Sequence, residues 1–497
     1  MPQAEPQVEP QVELHTDLII ANKGTSKGLT GMPVELILDI AKYMSQSSKA
    51  RLAQTCRCLS TLMEKPLHDQ DSKEDRHALW WACVNNEHKL LRRILNSDLS
   101  LVNYRFQKAH TLNLKLVPST QQHLLRVCAQ HKGADFSIHL TPLTVAIRFG
   151  SFNCFTTLLK WNADVNDAVP SNGMGPGKLW QPIHWAVRLT KSGRDFEDCV
   201  RLLIEHGANI NQAPGLSGST GMFGGGIPLH EVIDFQPYFR KDRSEPRSDA
   251  VYETQLKMRV SKAKALLKFG ADPNIGGNIS ETPIFKAAQS LASYDPNSPF
   301  VNQIVFRYDV KRVYEEVVVA NALQLFKALI KHGGNPNISC RGTTALHLLC
   351  KRSREYRPLI YYLLQAGARI NASDADGRTP IYEYVMYPRH YTLLIEFIKR
   401  GANVNHRDSK GRTPLHVACA DYNMCHSKLQ DTVRALIENG ANTLLVDNEG
   451  KTPLQLLDTR RIPTSLETRR ILLKASGIDV RGWGDDQYED DADWGSY

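Results

Sequence analysis

Two glycine-rich stretches are the first places in this sequence where chemistry could occur. A phosphate-binding loop needs the pattern Gly-x-x-x-x-Gly-Lys-Ser/Thr, and NGMGPGKL at 172–179 comes nearest to it. Asn172 stands where the first glycine belongs, and Leu179 replaces the final hydroxyl residue. The run GLSGSTGMFGGG at 215–226 has the spacing of neither a nucleophilic serine nor a dinucleotide-binding turn. Both stretches are therefore expected to be enlarged loops.

Histidine and cysteine are the other residue types that could act on a substrate or bind a metal. Four histidines share one place in a recurring Thr-Pro-Leu-His pattern: His184, His230, His347 and His416. An imidazole at a repeated position can hydrogen-bond the next repeat, so we expect a structural role for them. Cys425–His426 has no partner pair at zinc spacing, and Cys56-x-Cys58 lies in an apolar helical pattern. The sequence predicts no catalytic residue, no metal site and no cofactor, and thus no enzyme.

Composition limits the class of the protein and its partners. The 497 residues are 42% hydrophobic and 23% charged, which fits about three globular domains or one long array. The net charge of +9 could attract nucleic acid, a membrane surface or acidic proteins without choosing among them. No apolar run approaches the roughly 18 residues of a membrane span, and the first residues lack a signal-peptide pattern. With ten cysteines and no Cys-x-x-Cys, we expect a reducing cytoplasmic or nuclear location and no membrane partner.

Internal repetition organises most of the chain. Segments beginning at 141, 181, 379 and 413 share Thr-Pro-apolar or a close variant, a small residue, paired large apolars, Gly-Ala or Asn-Ala, and asparagine. A threonine caps a first helix, and a proline fits its first turn. Paired leucines, such as Leu202 and Leu203, give a second helix its buried face. Glycines are expected to end these second helices: Gly207, Gly270, Gly367, Gly401 and Gly440.

These segments resemble ankyrin repeats, whose period is 33 residues and whose signature is T-P-L-H-x-A. The resemblance implies an all-α solenoid over 74–478, with fingers and first helices forming a concave face for protein partners. The first unit (77–103) and the last (452–478) depart from the pattern, as capping units do. About nine units are predicted, from anchors at Leu79, Pro142, Pro182, Pro228, Pro283, Thr344, Pro380, Pro414 and Pro453.

Two units carry insertions between their helices, near 236–262 and 289–320. Helical spacing of apolar residues continues through part of each insertion, at Leu256, Val260 and Ala263 and at Val310, Val313 and Val317. We therefore expect both second helices to extend backwards, leaving loops at 236–250 and 289–305.

A short helical module at 28–68 precedes the array, after an N-terminal tail (1–27) that is expected to be disordered. Met32-Pro33-x-Glu35-Leu36, Ile40 and Leu52-Ala53-x-x-Cys56-Arg57-x-Leu59 resemble an F-box. The resemblance implies docking onto the Skp adaptor of a cullin-based (SCF) ubiquitin ligase. A helix pair in front of a solenoid could instead be the N-terminal cap of that solenoid. The positions that the resemblance assigns to the adaptor-facing and core surface are Pro33, Leu36, Ile37, Ile40, Leu52, Cys56 and Leu59.

The remaining functional candidates are charged surfaces. Basic residues crowd the fingers, and a binding surface for an unknown protein client is predicted at Arg378, Tyr382, Arg407, Lys410 and Arg412. The C-terminal tail at 479–497 is acidic and aromatic, and its stretch 483–497 holds six acids beside two tryptophans and two tyrosines. It is either a solvated tail or a segment that binds a partner or the protein's own basic face.

The sequence thus favours the substrate-recognition subunit of an SCF-type ligase, with a protein client held by the repeats. One alternative is an ankyrin scaffold without a ligase link. Another is a basic nucleic-acid-associated protein, which the absence of a nucleic-acid module and the interspersed acids argue against.

Overall fold

The computed structural model divides into two compact units, residues 1–209 with 214–222 and residues 210–213 with 223–497. In both, the described chain consists of antiparallel helix pairs, each made of an inner helix that begins at an anchor and an outer helix. The structure describes residues 37–38, 40–41, 76–106, 139–170, 178–189, 194–216, 226–233, 249–276, 281–292, 308–351, 356–386, 391–420, 426–458 and 466–477.

Three helix pairs are described in the first unit. They are α1 (His77–Asn85) with α2 (His88–Ser97), α3 (Pro142–Phe149) with α4 (Phe152–Lys160), and α5 (Pro182–Leu189) with α6 (Arg194–Glu205). A 3-10 turn, Leu99–Asn103, follows α2. Inner helices α1, α3 and α5 lie side by side. Their core includes Trp80, which packs edge-on against Phe106 and Phe149.

Six helix pairs are described in the second unit. The first three are α7 (Pro228–Val232) with α8 (Asp249–Lys268), α9 (Pro283–Ala292) with α10 (Tyr308–Lys331), and α11 (Ala345–Cys350) with α12 (Arg357–Gln365). The last three are α13 (Ile381–Met386) with α14 (Tyr391–Lys399), α15 (Pro414–Ala420) with α16 (His426–Glu438), and α17 (Pro453–Asp458) with α18 (Leu466–Ala475). The inner helices pack in chain order, and the all-α repeat array predicted from the sequence is confirmed.

The anchor residues act as their types predict. The Thr141 side chain accepts a hydrogen bond from the Thr144 amide at the start of α3, and Pro142 occupies the first turn. The predicted glycines Gly207, Gly270, Gly367, Gly401 and Gly440 follow outer helices with φ between 87° and 94°. A left-handed residue there closes the helix end, which glycine does without steric cost.

An asparagine ladder joins consecutive repeats. In several repeats, an asparagine after the turn glycine donates to the carbonyl of the next repeat's turn glycine, as Asn405 does to Gly440 at 2.9 Å. The Asn405 side-chain oxygen accepts the amide of Asn442 at 2.8 Å. The same pair of bonds recurs in the second unit at Asn211, Asn274, Asn337 and Asn371. The ladder aligns the C-terminal ends of the outer helices along one edge.

Both insertions extend an outer helix backwards, as the apolar spacing predicts. Helix α8 has 20 residues and α10 has 24, and the two pack against each other along their length. The preceding inner helix α9 runs to Ala292, so its last four residues occupy the start of the predicted loop at 289–305. Most of both predicted loops lies outside the described residues.

A small antiparallel sheet is the one departure from all-helical structure among the described residues. Its strands are β1 (Val169–Pro170), β2 (Lys178–Trp180) and β3 (Gly215–Leu216), in the order β1-β2-β3. Val169 pairs with Trp180, and Leu179 pairs with Gly215. The described ends of the two glycine-rich stretches lie in this sheet, Lys178 and Leu179 in β2 and Gly215 and Leu216 in β3. Lys178 lies within a strand and not at the start of a helix, where a phosphate-binding lysine would lie.

Little of the N-terminal module is described. Ile37, Leu38, Ile40 and Ala41 are helical, and Ile37 and Ala41 are buried. The predicted adaptor residues Pro33, Leu36, Leu52, Cys56 and Leu59 lie outside the described residues, as do the N-terminal and C-terminal tails.

Candidate functional site

Three finger hairpins, at 374–378, 408–412 and 447–451, together with Arg407 directly before the middle hairpin, form the surface on which four of the five predicted client-binding residues lie. We call it the finger face. In the middle finger, Asp408 Oδ1 accepts the amides of Lys410 at 2.9 Å and Arg412 at 2.8 Å. Asp374 and Asp447 fold their fingers with the same two bonds. One acidic side chain thus holds each turn, because its oxygen replaces the missing backbone acceptors.

Adjacent fingers touch through their backbones. The Ser409 amide donates to the Asp376 carbonyl at 2.9 Å, and the Asn448 amide donates to the Lys410 carbonyl at 3.0 Å. A Cβ atom on Gly377 would lie 2.9 Å from the Ser409 nitrogen, closer than real Cβ contacts. Gly377 also has a φ of 74°. The close approach and the positive φ together require glycine there.

The repeated histidines tie each inner helix to the following finger. His416 Nδ1 accepts the Thr413 amide at 3.1 Å, and His416 Nε2 donates to the Lys451 carbonyl at 3.1 Å. His347 bonds Thr344 and the Arg378 carbonyl in the same way. His230 Nε2 reaches the Glu281 carbonyl at 2.5 Å. Burial lowers the pKa of all three imidazoles, so the neutral form that these bonds need is favoured.

These bonds support the predicted structural role for His230, His347 and His416. His184 is also fully buried, with its ring centroid 6.4 Å from that of Trp180.

Tyr382 does not belong to a binding surface, and this prediction is wrong. It occupies the histidine position of its repeat and has no exposed surface. Its hydroxyl lies 2.6 Å from the His406 carbonyl and 2.7 Å from the Arg412 carbonyl. The phenol therefore makes the link to the next finger that imidazole makes elsewhere. The sequence pattern places Tyr382 beside exposed finger residues along the chain, but its side chain points into the interior.

Arg378 and Arg412 mainly form ion pairs that stabilise the fingers, and little of either side chain is exposed for binding a partner. Arg412 Nε and Nη2 lie 3.2 and 2.9 Å from Asp408 Oδ2. Arg378 Nε lies 3.8 Å from the same oxygen, and the Asp408 side chain is only 1% exposed. The two arginine side chains are 25% and 20% exposed. A buried carboxylate between two guanidiniums stabilises this junction, and losing either charge would leave the other buried and unpaired.

Arg407 and Lys410 are the two predicted residues that present charge to solvent. Arg407 is exposed, and its Nη2 donates to the Val446 carbonyl at 2.8 Å. Lys410 is exposed at a finger tip and forms no ion pair within the described residues. Acidic side chains stand beside them, since Asp376 is 68% and Glu449 73% exposed. The finger face is therefore a surface of mixed charge, not a uniformly basic one.

A buried carboxyl on α13 lies next to the finger face, and the sequence reading did not identify it. Burial raises the pKa of Glu383 to about 7, and its Oε2 has no hydrogen-bond partner within the described structure. Lys351 Nζ lies 3.9 Å from Glu383 Oε1 and opposes that rise. Nothing in the local sequence signals this burial, because an acid directly after the histidine slot is ordinarily solvated.

Four buried cysteines have thiol pKa values that disfavour the reactive thiolate form. Burial raises the pKa of Cys154 and of Cys199 to about 12, and raises those of Cys83 and Cys350 as well. A nucleophilic cysteine needs a lowered pKa. Across the described ranges, no group of three or more His, Cys, Asp or Glu side chains could hold a metal ion. Cys56, Cys58, Cys425 and the His426 side chain lie outside the described structure.

Comparison with protein families decides what these repeats are. The family profile described as "Ankyrin repeats (3 copies)" matches residues 115–214, 316–408 and 383–481, which together cover more than half of the chain. The chain belongs to the ankyrin-repeat family. Members of such repeat arrays present extended surfaces to protein partners, and a protein-binding role follows for this one. No helix among the described residues is long and apolar enough to cross a membrane.

Proposed function

We propose that this ankyrin-repeat protein is the substrate-recognition subunit of an SCF-type ubiquitin ligase. In this proposal the N-terminal module binds a Skp-type adaptor and, through it, a cullin. The repeats hold a protein client for a conjugating enzyme recruited elsewhere. The observation that carries the proposal is the order of an F-box-like pattern followed by a repeat array with an exposed finger face.

The finger face supports a protein client over a nucleic acid. Arg407 and Lys410 are exposed beside the exposed acids Asp376 and Glu449. Phosphates would be repelled by those carboxylates, whereas a protein surface can present both charges in a matching arrangement.

The helical residues of the module agree with the same proposal. The F-box resemblance assigns Ile37 and Ile40 to the core and adaptor surface, and Ile37 is 2% exposed while Ile40 is partly exposed. Such a small unit buries little area by itself, so a partner surface would add to its stability.

We further propose that the chain contributes positioning and no covalent chemistry. His230, His347 and His416 bond backbone carbonyls, and burial suppresses the thiolate form of four cysteines. A location in the cytoplasm or nucleus, where cullin ligases act on clients, belongs to the same proposal.

The adaptor link is tested by a binding assay with the full chain and a purified Skp-type adaptor. We expect Leu36→Arg and Leu52→Arg each to weaken adaptor binding at least about 10-fold, because a buried charge costs more than 1.4 kcal/mol. Leu444→Arg is the matched control, since Leu444 is 63% exposed. Absence of binding by the unaltered chain, or equal binding by all three variants, would contradict the ligase proposal.

The same variants separate the F-box from a solenoid cap. If the module only caps the array, Leu36→Arg lowers the unfolding midpoint and no adaptor binds the unaltered chain. The protein is then an ankyrin scaffold without a ligase link.

The client surface is tested by proximity labelling. Arg407→Glu with Lys410→Glu should reduce labelling of the client, while Arg434→Glu, an exposed cation on α16, should not. Equal labelling by both variants would place the client elsewhere. Binding to RNA or DNA with steep salt dependence would favour the nucleic-acid alternative.

A further inference from the structure

Four outer helices of the second unit, α8, α10, α12 and α14, carry stretches with an excess of positive charge. From Lys257 to the end of α8, from Val317 to the end of α10 and throughout α12, the sequence contains no aspartate or glutamate. The same stretches contain these cations: Lys257, Arg259, Lys262, Lys264, Lys268, Lys327, Lys331 and Arg357. Helix α14 adds Lys399 and one acid, Glu396, which pairs with Arg357 and Arg400.

Five exposed lysines on these helices define what we call the lysine face. They are Lys264, Lys268, Lys327, Lys331 and Lys399. Lys264 Nζ donates to Gln324 Oε1 at 2.9 Å, so the exposed sides of α8 and α10 adjoin. Lys264, Lys327 and Lys331 form no ion pair within the described residues. The face therefore presents positive charge that the described fold does not neutralise.

Lys262 on α8 is a buried cation close to these exposed lysines in the sequence. The pKa of Lys262 is lowered to about 8, mainly by burial and then by repulsion from Arg259. A nearby anion would relieve that repulsion.

The lysines follow the register of the repeats. Lys268, Lys331 and Lys399 each lie two residues before a turn glycine, namely Gly270, Gly333 or Gly401. The carbonyls of these glycines are joined to the preceding repeats by the asparagine ladder. The three lysines therefore stand along one edge, at the C-terminal ends of the outer helices. The chain leaves the array at that same edge, since the last outer helix, α18, ends at Ala475.

The segment that follows has complementary charge. Residues 483–497, WGDDQYEDDADWGSY, carry six acids and no cation. Two tryptophans and two tyrosines lie among the acids, and aromatic rings also attract ammonium groups. Arg357 and Arg400 already lie over the ring of Tyr361 on this side of the unit, at 5.2 and 5.1 Å.

The length of the segment matches the distance to the lysines. At about 3.3 Å per residue, Asp485 can lie up to about 26 Å beyond Gly477, and Asp493 up to about 53 Å. Packed helices are about 8–10 Å apart, so α14 lies about 20 Å from α18 and α10 about 40 Å. Extended along the edge, the acids span the interval that contains Lys399 and Lys331.

We propose that residues 483–497 bind in cis to the lysine face. The contact is electrostatic with aromatic reinforcement, and it occupies the surface that an acidic protein partner would use. An acidic partner must then displace the segment before it can bind. This inference does not rest on the ligase proposal, since neither adaptor nor client takes part in it.

The test uses a fluorescein-labelled peptide of residues 478–497, titrated with the full chain and with the chain that lacks 483–497. Tethering gives a segment an effective concentration of the order of 1 mM, so a peptide Kd of about 10–100 µM predicts about 10- to 100-fold weaker binding to the full chain. Binding to the truncated chain should weaken between about 50 and about 300 mM NaCl, because salt screens exposed charges.

Two variants locate the site on the truncated chain. Lys264→Glu with Lys327→Glu and Lys331→Glu should weaken peptide binding at least about 10-fold, since each reversal replaces attraction by repulsion. The control makes the same charge change at three exposed cations of the first unit, Lys89→Glu with Arg92→Glu and Lys160→Glu, and should bind as the unaltered chain does. A peptide with the six acids changed to amides should not bind.

Three results would overturn the proposal. They are no binding to the truncated chain at low salt, equal binding to the truncated and full chains, and equal loss in the two triple variants. A full chain that is dimeric by light scattering, and monomeric only without 483–497, would place the segment on a second copy and refute binding in cis.

Discussion

Replacing Tyr382 by phenylalanine tests whether a phenol performs the histidine's task in its repeat. The substitution removes one hydroxyl and keeps the ring, which is fully buried and packs edge-on against His406 at 6.5 Å. No cavity forms, so the change in stability reports the hydrogen bonds alone.

The hydrogen-bond partners of the Tyr382 hydroxyl determine how much stability Tyr382→Phe should lose. The Tyr382 hydroxyl lies 2.6 Å from the His406 carbonyl and 2.7 Å from the Arg412 carbonyl. The Arg412 carbonyl keeps the Asp408 amide as a donor at 2.9 Å, whereas the His406 carbonyl has no other donor among the described contacts. One buried acceptor is left without a partner, and the free energy of unfolding should fall by about 1–3 kcal/mol.

Urea denaturation measures this loss. With an m-value of about 2 kcal/mol per M, the midpoint of the transition should fall by about 0.5–1.5 M at unchanged m. Tyr362→Phe is the matched control, because the Tyr362 hydroxyl is partly exposed and forms no hydrogen bond within the described structure. A shift for Tyr382→Phe no larger than that of the control would refute the reasoning.

Three further changes probe the same region. Glu383→Gln should raise the free energy of unfolding by about 1–3 kcal/mol more at pH 8 than at pH 5, because burial raises the pKa of Glu383 to about 7 and the full penalty for the charged form is reached only above that pH. Urea titrations at both pH values measure this difference, and an equal gain at both would contradict it. The pKa of His416 is lowered by burial, so the unfolded chain binds more protons and stability falls as the pH drops below about 6.5. His416→Gln should reduce that slope by up to about 1.4 kcal/mol per pH unit, and an unchanged slope between pH 7.5 and 5.5 would count against the role of His416. Asp408→Ala should lower the free energy of unfolding by about 3–5 kcal/mol, since it leaves Arg412 partly buried without its partner. Thermal or urea unfolding measures this loss. A loss below about 1 kcal/mol would show that this carboxylate does not hold the finger.

Local sequence signals located the repeats because each signal has a local cause. A threonine before a proline starts a helix, a glycine after a leucine pair ends it, and both effects depend on backbone geometry within a few residues. The backward extension of α8 and α10 was predictable for the same reason, since a helical period shows within one turn or two. The loop boundary at 289 was wrong by four residues, because the end of α9 at Ala292 carries no glycine or proline to mark it.

The candidate site was less predictable, because exposure depends on neighbours that are distant in sequence. Arg407 and Lys410 are exposed as expected, but Arg378 and Arg412 are drawn inward by Asp408. Charge alone could not distinguish the two pairs.

The sequence by itself determined the repeat period, the helix ends and the histidine positions, since these follow from contacts within one repeat. Only the tertiary structure decided that Tyr382 faces the interior, that Glu383 is buried and that separate lysines align on one edge. Those properties arise from stacking, which brings each repeat's side chains against the backbone of the next. Stretches of α8, α10, α12 and α14 thus concentrate part of the positive charge of a chain whose net charge is +9, and residues 483–497 carry the opposite charge.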